Sequence, residues 1–229
     1  MKTIAVFRTD LSQMIFFGRL LMGLAAVAAM LAGPIASAEE VSMSWQESVA
    51  TVSELTRVIT VDGAPYVNNA DEYDPAQRPI HPISMAADVN YPVQLTEREW
   101  RERLSEEQYR ILRGDGTEPA CSNILYENKE RGVYYSAATG QPLFHSDDKF
   151  TSGTGWPSFT RPISPDAVAY FWDTSYFMRR VEVVDSLSGS HLGHVFDDGP
   201  TPTGQRYCIN GEALIFVPEG GTPPPLLVD

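Results

Sequence analysis

Residues 191–211 read HLGHVFDDGPTPTGQRYCING, and no other stretch limits the possible folds of this chain as tightly. The middle, DDGPTPTG, is turn material, because Gly and Pro free or fix the backbone where a chain reverses. The flanks, GHVF and RYCI, are short and rich in strand formers. A hairpin or wide loop that folds His191 and His194 back toward Cys208 satisfies both observations. The stretch also gathers groups that do chemistry near neutral pH: two imidazoles, Asp197 and Asp198, Arg206, Cys208 and Asn210.

Cys208 is one of only two cysteines. The thiolate is the reactive form, and an ordinary thiol with a pKa of about 8.5 is only about 3% ionised at pH 7. A neighbouring Arg206 or protonated histidine favours the thiolate. The same residue also fits a packed strand cysteine or half of a structural disulfide, and its type and position alone leave all three open.

The formal net charge of −13 argues against a nucleic-acid surface, which needs basic groups to meet phosphates. Residues 1–38 have the build of a secretory signal: Lys2 and Arg8, an apolar run at 20–32, then Ala36-Ser37-Ala38. That run is shorter than the roughly 20 residues of a bilayer span. Export to the periplasm or beyond is therefore expected, with no stable membrane insertion after cleavage, in a compartment where a disulfide can persist.

The next segment, 39–92, is interrupted by prolines and reads as an extension with a short strand or helix near 53–61, wrapped on the domain or mobile. His81, between Pro79 and Pro82, reads as a solvated loop histidine. Helix signals follow. Thr96 caps a first turn bearing Glu97 and Glu99, and Ser105 with Gln108 forms a capping box for a second helix over 106–112, ended by Gly114. Trp100, Leu104, Tyr109 and Leu112 are expected on the core. From Thr117 the texture is β: strands are predicted near 132–135, 142–144, 168–173, 178–185 and 213–217, with a loop at 153–159 exposing Trp156. The Asn210-Gly211 pair predicts a two-residue hairpin into the last strand. The fold class is mainly β, antiparallel, preceded by short helices. The main domain is bounded at 93–218, and 219–229 forms a Gly/Pro-rich tail.

Three stretches, LSEEQYRILRGDGTEPA, YYSAATGQPLFHSDDKFTSGTGWPSFTRPI and RRVEVVDSLSGSHLGHVFDDGPTPTGQRYCINGEALIFVP, together resemble the methionine-R-sulfoxide reductase B family, in order and spacing. The resemblance implies two antiparallel sheets leaning together. It implies reduction of the R epimer of methionine sulfoxide, free or protein-bound, to methionine. Cys208 would attack the sulfoxide sulfur and become a sulfenic acid. The oxygen needs a proton donor and hydrogen-bond support, for which His191, His194 and Asn210 match the family residues. Trp156 matches the aromatic that meets the substrate methyl. Arg206 would favour the thiolate, with Asp198 paired to it across the loop.

The chain departs from the family pattern in three ways. Where many members hold zinc in two CxxC pairs, this chain has Ser136, Thr139, Asp185 and Ser188, a set unsuited to structural zinc. No metal and no cofactor are expected, and the joint that the metal would tie must be held by packing or partly by the extension. The common resolving position before GWPSF is Thr154. Cys121 is therefore the expected resolving cysteine, forming a disulfide with Cys208 that a thioredoxin-like donor reopens. Direct reduction of the sulfenic acid, or a permanent bridge supplying about 4–5 kcal/mol, are the alternatives. Finally, the extension itself lies outside the core pattern. Two competing functions remain: a non-catalytic sulfoxide-binding relative, and a metal-binding module using His191, His194 and an Asp of the DD pair.

Overall fold

The computed structural model describes residues 44–56, 60–61, 64–65, 82–84 and 88–227. The expected leader at 1–38 and His81 lie outside them. Among the described residues no helix is long and apolar enough to cross a membrane.

Among the described residues three short helices come before the main sheets: α1 (Trp45–Thr56), α2 (Glu97–Arg103) and α3 (Glu106–Leu112). The second and third have the capping boxes that their sequences specify, Thr96 with Glu99 and Ser105 with Gln108. The third stops at Arg113, one residue before the predicted glycine. Trp100, Leu104 and Leu112 are buried, and Tyr109 packs against the core from a partly covered position. Where a strand or helix was expected near 53–61, α1 begins earlier, at Trp45. Ser44 and Glu47 cap it reciprocally: the Ser44 amide donates to the Glu47 carboxylate and the Glu47 amide to the Ser44 hydroxyl.

The strands are β1 (Thr60–Val61), β2 (Ala64–Pro65), β3 (Val89–Asn90), β4 (Gly132–Ser136), β5 (Pro142–His145), β6 (Lys149–Phe150), β7 (Ser158–Phe159), β8 (Val168–Asp173), β9 (Arg180–Asp185), β10 (His191–Phe196), β11 (Arg206–Ile209) and β12 (Leu214–Pro218). The first three make a small sheet within the extension. A six-stranded sheet has the order β6-β7-β11-β10-β9-β8, and a three-stranded sheet the order β12-β4-β5. Every strand pair is antiparallel. The mainly β, two-sheet architecture expected from the sequence is the one observed.

Cross-strand register decides which side chains share a face, because paired residues point the same way. Phe159, Tyr207, Val195 and Val181 are paired in one row, with Val183 and Tyr170 in the next row on that face. This face meets Tyr134, Leu143 and Phe144 of the smaller sheet and Ile111 and Leu112 of α3 in one core. Phe144 stacks on Phe159 at 4.4 Å between ring centroids, and Tyr134 meets the same ring edge-on at 5.0 Å. Burying each such ring contributes about 1.5–3 kcal/mol. Val52 of α1 joins this core, and Ile83 adds a parallel bridge to Phe171 at the sheet edge, so these residues of the extension lie on the domain.

The predicted Asn210-Gly211 hairpin does not form. The chain makes a 3-10 turn over Gly211–Ala213, and β12 then pairs with β4 in the other sheet. Glu118 supplies the reason: its buried carboxylate accepts the amides of Gly211 at 2.7 Å and Glu212 at 2.8 Å. Those amides are thereby fixed in a crossover rather than a two-residue reversal.

The four residues standing at the zinc-pattern positions do converge, as a hydrogen-bonded joint between the turns after β4 and β9. Asp185 is fully buried. Its carboxylate accepts the Thr139 hydroxyl at 2.7 Å, the Gln141 amide at 2.6 Å, and the backbone amides of Leu187 at 2.8 Å and Ser188 at 3.1 Å. Burial raises its pKa, against the lowering effect of those bonds and one from Ser136. The 219–227 segment closes over this joint: the Leu227 amide donates to the Thr139 carbonyl, and Leu226 and Leu227 pack on the core. Asp185→Ala strands several buried donors at once and should cost about 3 kcal/mol, a fall in Tm of roughly 6–12 °C. An unchanged Tm would mean that the joint is held elsewhere.

Candidate active site

The outer face of the six-stranded sheet carries the reactive groups. Ser158, Cys208, His194, Glu182 and Phe171 form one continuous cross-strand row. Arg206, Phe196, Arg180 and Asp173 follow on the same face, two residues along their strands.

His191 and His194 are three positions apart, and an even strand would point them to opposite faces. Strand β10 has a bulge between His191 and Gly193. His191 pairs with Val184 and His194 with Glu182, so the inserted residue turns both imidazoles to the same side. Their ring centroids are 5.5 Å apart. Gly193 makes the bulge possible: a Cβ there would sit 2.1 Å from the Cys208 carbonyl oxygen.

Each histidine has its own carboxylate. His191 Nδ1 lies 2.5 Å from Glu182 Oε1, and its Nε2 is buried without a protein partner. His194 Nε2 lies 2.8 Å from Asp173 Oδ2. Asp173 also accepts from Arg180 at 2.5 Å and from the Ser175 amide at 2.8 Å. Burial would raise the Asp173 pKa, but the bonds from Ser175 and His194 and the Arg180 charge outweigh it and hold the carboxyl well below its usual range. For His194, burial lowers the pKa and outweighs the pull of Asp173 in the other direction, so the ring is neutral at pH 7.

Cys208 is partly buried, and Thr154 Oγ1 lies 4.0 Å from its sulfur. Arg206 pairs with Asp198 through two bonds of 2.8 and 2.9 Å, as the sequence suggested, and its guanidinium covers the Phe196 ring at 4.5 Å. The expected thiolate bias is only half right. Arg206 does pull the Cys208 pKa down, with help from Thr154, but burial is the larger effect and the net shift is upward. The resting site holds a thiol.

Asn210 and Trp156 are tied to the backbone of the 118–121 loop and of β10. The Asn210 carboxamide donates to the Leu192 carbonyl at 3.0 Å and accepts the Glu118 amide at 3.0 Å. It thereby pins the bulge. Trp156 is half-buried, and its indole donates to the Glu118 carbonyl at 3.1 Å. Cys121 is exposed, with φ of 62°. Its amide donates to Gly155 at 2.8 Å, and a Cβ on Gly155, where φ is +89°, would come within 2.9 Å of the Cys121 sulfur. The two cysteines thus flank consecutive residues, 154 and 155, and both are free thiols.

Neither residue of the DD pair reaches a histidine. Asp198 is held by Arg206 and Asp197 by Gln205 at 2.8 Å, so the metal-binding arrangement considered from the sequence is not formed. Among the described residues, Asp115, Glu182 and His191 are grouped closely enough to hold a cation, with ligand atoms within 4.8 Å of one another. Sequence reasoning missed Glu182, Asp173, Arg180 and Glu118. The first three lie at strand positions that alternate away from the core, which was the available signal. Nothing local singled out Glu118.

Two outcomes follow from this geometry. Gly193→Ala drives a methyl into the Cys208 carbonyl and should destabilise the protein by about 2–4 kcal/mol, read by denaturant titration. A Gly193→Ala protein as stable as wild type would show that the bulge tolerates a side chain. His194 has a folded pKa below its unfolded value of about 6.5, so protonation favours unfolding. Stability should therefore fall as pH drops below about 6.5, and His194→Gln should flatten that limb of a Tm–pH profile; identical slopes would contradict it.

The SelR domain family matches residues 104–218. The chain is 61% identical to the peptide methionine sulfoxide reductase MsrB of Methanosarcina barkeri over 127 residues, covering 56% of this chain and 89% of the relative. It is 50% identical to the protein of the same name from Leptospira interrogans over 131 residues, 57% of this chain and 100% of the relative. A two-part MsrA/MsrB protein of Vibrio cholerae is 41% identical over 158 residues, 65% of this chain and 42% of the relative. The match spans the strands that carry Cys208, His191 and His194, and this chain belongs to the methionine-R-sulfoxide reductase B family.

Proposed function

We propose that the protein reduces methionine-R-sulfoxide to methionine through Cys208. The observation that carries the reading is the single face on which Cys208, neutral His194 and carboxylate-paired His191 stand together, within a chain of this family. Because the Cys208 thiol is protonated at rest, it needs a base. His194 donates from Nε2 to Asp173, which leaves Nδ1 as the basic nitrogen for the Cys208 proton. The thiolate attacks the sulfoxide sulfur. The proton shared by the hydrogen-bonded His191–Glu182 pair is delivered to the sulfoxide oxygen from His191 Nε2. A sulfur–sulfur bond from Cys208 to the substrate forms as the S–O bond breaks, and the oxygen leaves as water, carrying the Cys208 proton relayed by His194 and the proton from His191. A water then attacks the Cys208 sulfur, the S–S bond breaks to release methionine, one proton returns to the His191–Glu182 pair, and Cys208 is left as a sulfenic acid. Methionine is the reduced product, and Cys208 is oxidised by two electrons.

Cys121 then attacks the sulfenic acid. A Cys121–Cys208 disulfide forms and water leaves. A thioredoxin-like dithiol reopens the bridge, reducing both cysteines and taking the disulfide onto itself. Supporting this order are the exposed Cys121 thiol, its left-handed backbone, and its anchorage on Gly155 beside Thr154. Trp156, fixed by Glu118, offers the substrate methyl a sulfur–aromatic surface worth about 0.3–1.5 kcal/mol. We read residues 1–38 as an export signal, so the work is done in the periplasm or outside the cell.

Turnover of separated R and S sulfoxides of N-acetylmethionine tests the reading. The wild type should consume the R epimer alone. Cys208→Ser should lose about three orders of magnitude or more in kcat/KM. Cys121→Ser should keep a full first turnover yet fall about tenfold or more in steady state with thioredoxin. Normal repair by Cys208→Ser would overturn the proposal, and an unimpaired steady state in Cys121→Ser would remove the resolving step.

A further inference from the structure

A chain of three hydroxyl groups runs up to the nucleophile. Cys208 is paired with Ser158 across β11 and β7, so the two side chains share the outer face of the sheet. Thr154 Oγ1 lies 4.0 Å from the Cys208 sulfur and 2.8 Å from Ser152 Oγ, and Ser152 Oγ lies 2.7 Å from Ser158 Oγ. The Ser158 hydroxyl reaches the Trp156 carbonyl at 3.2 Å. The contacts are therefore continuous from the sulfur to the backbone of the loop that carries the indole. Ser158 is fully buried, and Ser152 and Thr154 are partly covered, so the hydroxyls find their partners in one another.

The far end fixes the direction of the bonds. A carbonyl oxygen only accepts, so Ser158 donates to Trp156, Ser152 to Ser158, and Thr154 to Ser152 while Cys208 holds its proton. In that state the Thr154 oxygen is left to accept the S–H. The Ser152 oxygen also takes the Thr154 amide at 3.3 Å, which fills its two acceptor places. Removing the Cys208 proton inverts the demand, because a thiolate only accepts. Each hydroxyl then turns about its own C–O bond: Thr154 donates to sulfur, Ser152 to Thr154, and Ser158 to Ser152. No proton changes owner among the hydroxyls. One neutral hydrogen bond, to the Trp156 carbonyl, is given up for one to an anion, which is roughly twice as strong. The turned arrangement is thus favoured once the thiol has ionised, and not before.

We infer that Thr154 is a catalytic residue of the reductive step, its hydroxyl donating to the Cys208 thiolate that attacks the sulfoxide, with Ser152 and Ser158 turning behind it. The inference rests on the sulfoxide-reductase reading above and deepens it: the thiol proton still goes to His194, and Thr154 stabilises the charge left on sulfur. The charged and titratable groups facing this sulfur are Arg206 on its own strand, with Asp198 bound to it, and His194 on β10. On the β7 side the sulfur meets hydroxyls, and Thr154 works with Arg206 against the effect of burial. A donor placed there supports the nucleophile without adding a charge.

The test compares the full wild-type chain with Thr154→Val, which keeps the shape and loses the donor, and with Thr154→Ser, which keeps the donor. Iodoacetamide labels the thiolate, so the labelling rate of the Cys208 peptide, followed by mass spectrometry over roughly pH 6–11, gives the ionisation midpoint. Thr154→Val should move that midpoint upward by about one pH unit. It should also slow single-turnover formation of methionine from N-acetylmethionine-R-sulfoxide about tenfold at a pH of about 7. Thr154→Ser should match the wild type in both measurements. Coincident midpoints for wild type and Thr154→Val would overturn the inference. So would an equal shift in both variants, because packing rather than the hydroxyl would then be responsible. A wild type that leaves the sulfoxide unreduced would sink the reductase reading instead, while the labelling midpoints would still decide whether the Thr154 hydroxyl serves this sulfur.

Discussion

The site depends on one close approach. At Gly193 the backbone of β10 comes so near to the Cys208 carbonyl that no side chain fits between them. That contact permits the bulge, and the bulge turns two histidines three residues apart to one side of a sheet. Asn210 holds the same point from the other flank, taking the Leu192 carbonyl with its carboxamide. Without the bulge His191 would face the core, and Glu182 would lose its partner.

The electrostatics divide labour between two histidine–carboxylate pairs of unlike surroundings. Asp173 is saturated with donors, including a guanidinium, which hold its carboxyl well below the usual range. His194 beside it is neutral, because burial is the larger influence on its ring. His191 has Glu182 on one nitrogen, and its other nitrogen is buried without a protein partner. A partly buried thiol paired across the strands with a neutral imidazole is a reserve nucleophile rather than a standing one.

Much of this was legible in the residues. Turn chemistry in DDGPTPTG with strand formers on both sides specified the β10–β11 hairpin, and two capping boxes specified α2 and α3. Ser44 with Glu47 carried the same signal for α1, but the surrounding apolar pattern lacked a helical period and hid it. The Asn210-Gly211 reading failed because local preference lost to a distant carboxylate: Glu118 is far away in sequence and takes the Glu212 amide that would have closed the turn, together with that of Gly211. The bulge was invisible for a related reason. The spacing of the histidines is evident in HLGH, but the extra residue is defined only by the partner strand. The pKa of Cys208 likewise depended on burial, which no neighbouring letter reports.

The joint built from Ser136, Thr139, Asp185 and Ser188 has a chemical consequence. It contains oxygen donors and acceptors and no sulfur. The oxidants that create the lesion this family repairs also attack thiols, and a scaffold knotted by thiolates would be exposed to the same damage as its clients. Hydroxyls, amides and a carboxylate are inert to peroxide at ordinary strength. Both sulfhydryl groups of the chain lie away from that joint, one on the loop beside Gly155 and the other on the outer face of the sheet. The joint itself offers peroxide no thiol to attack.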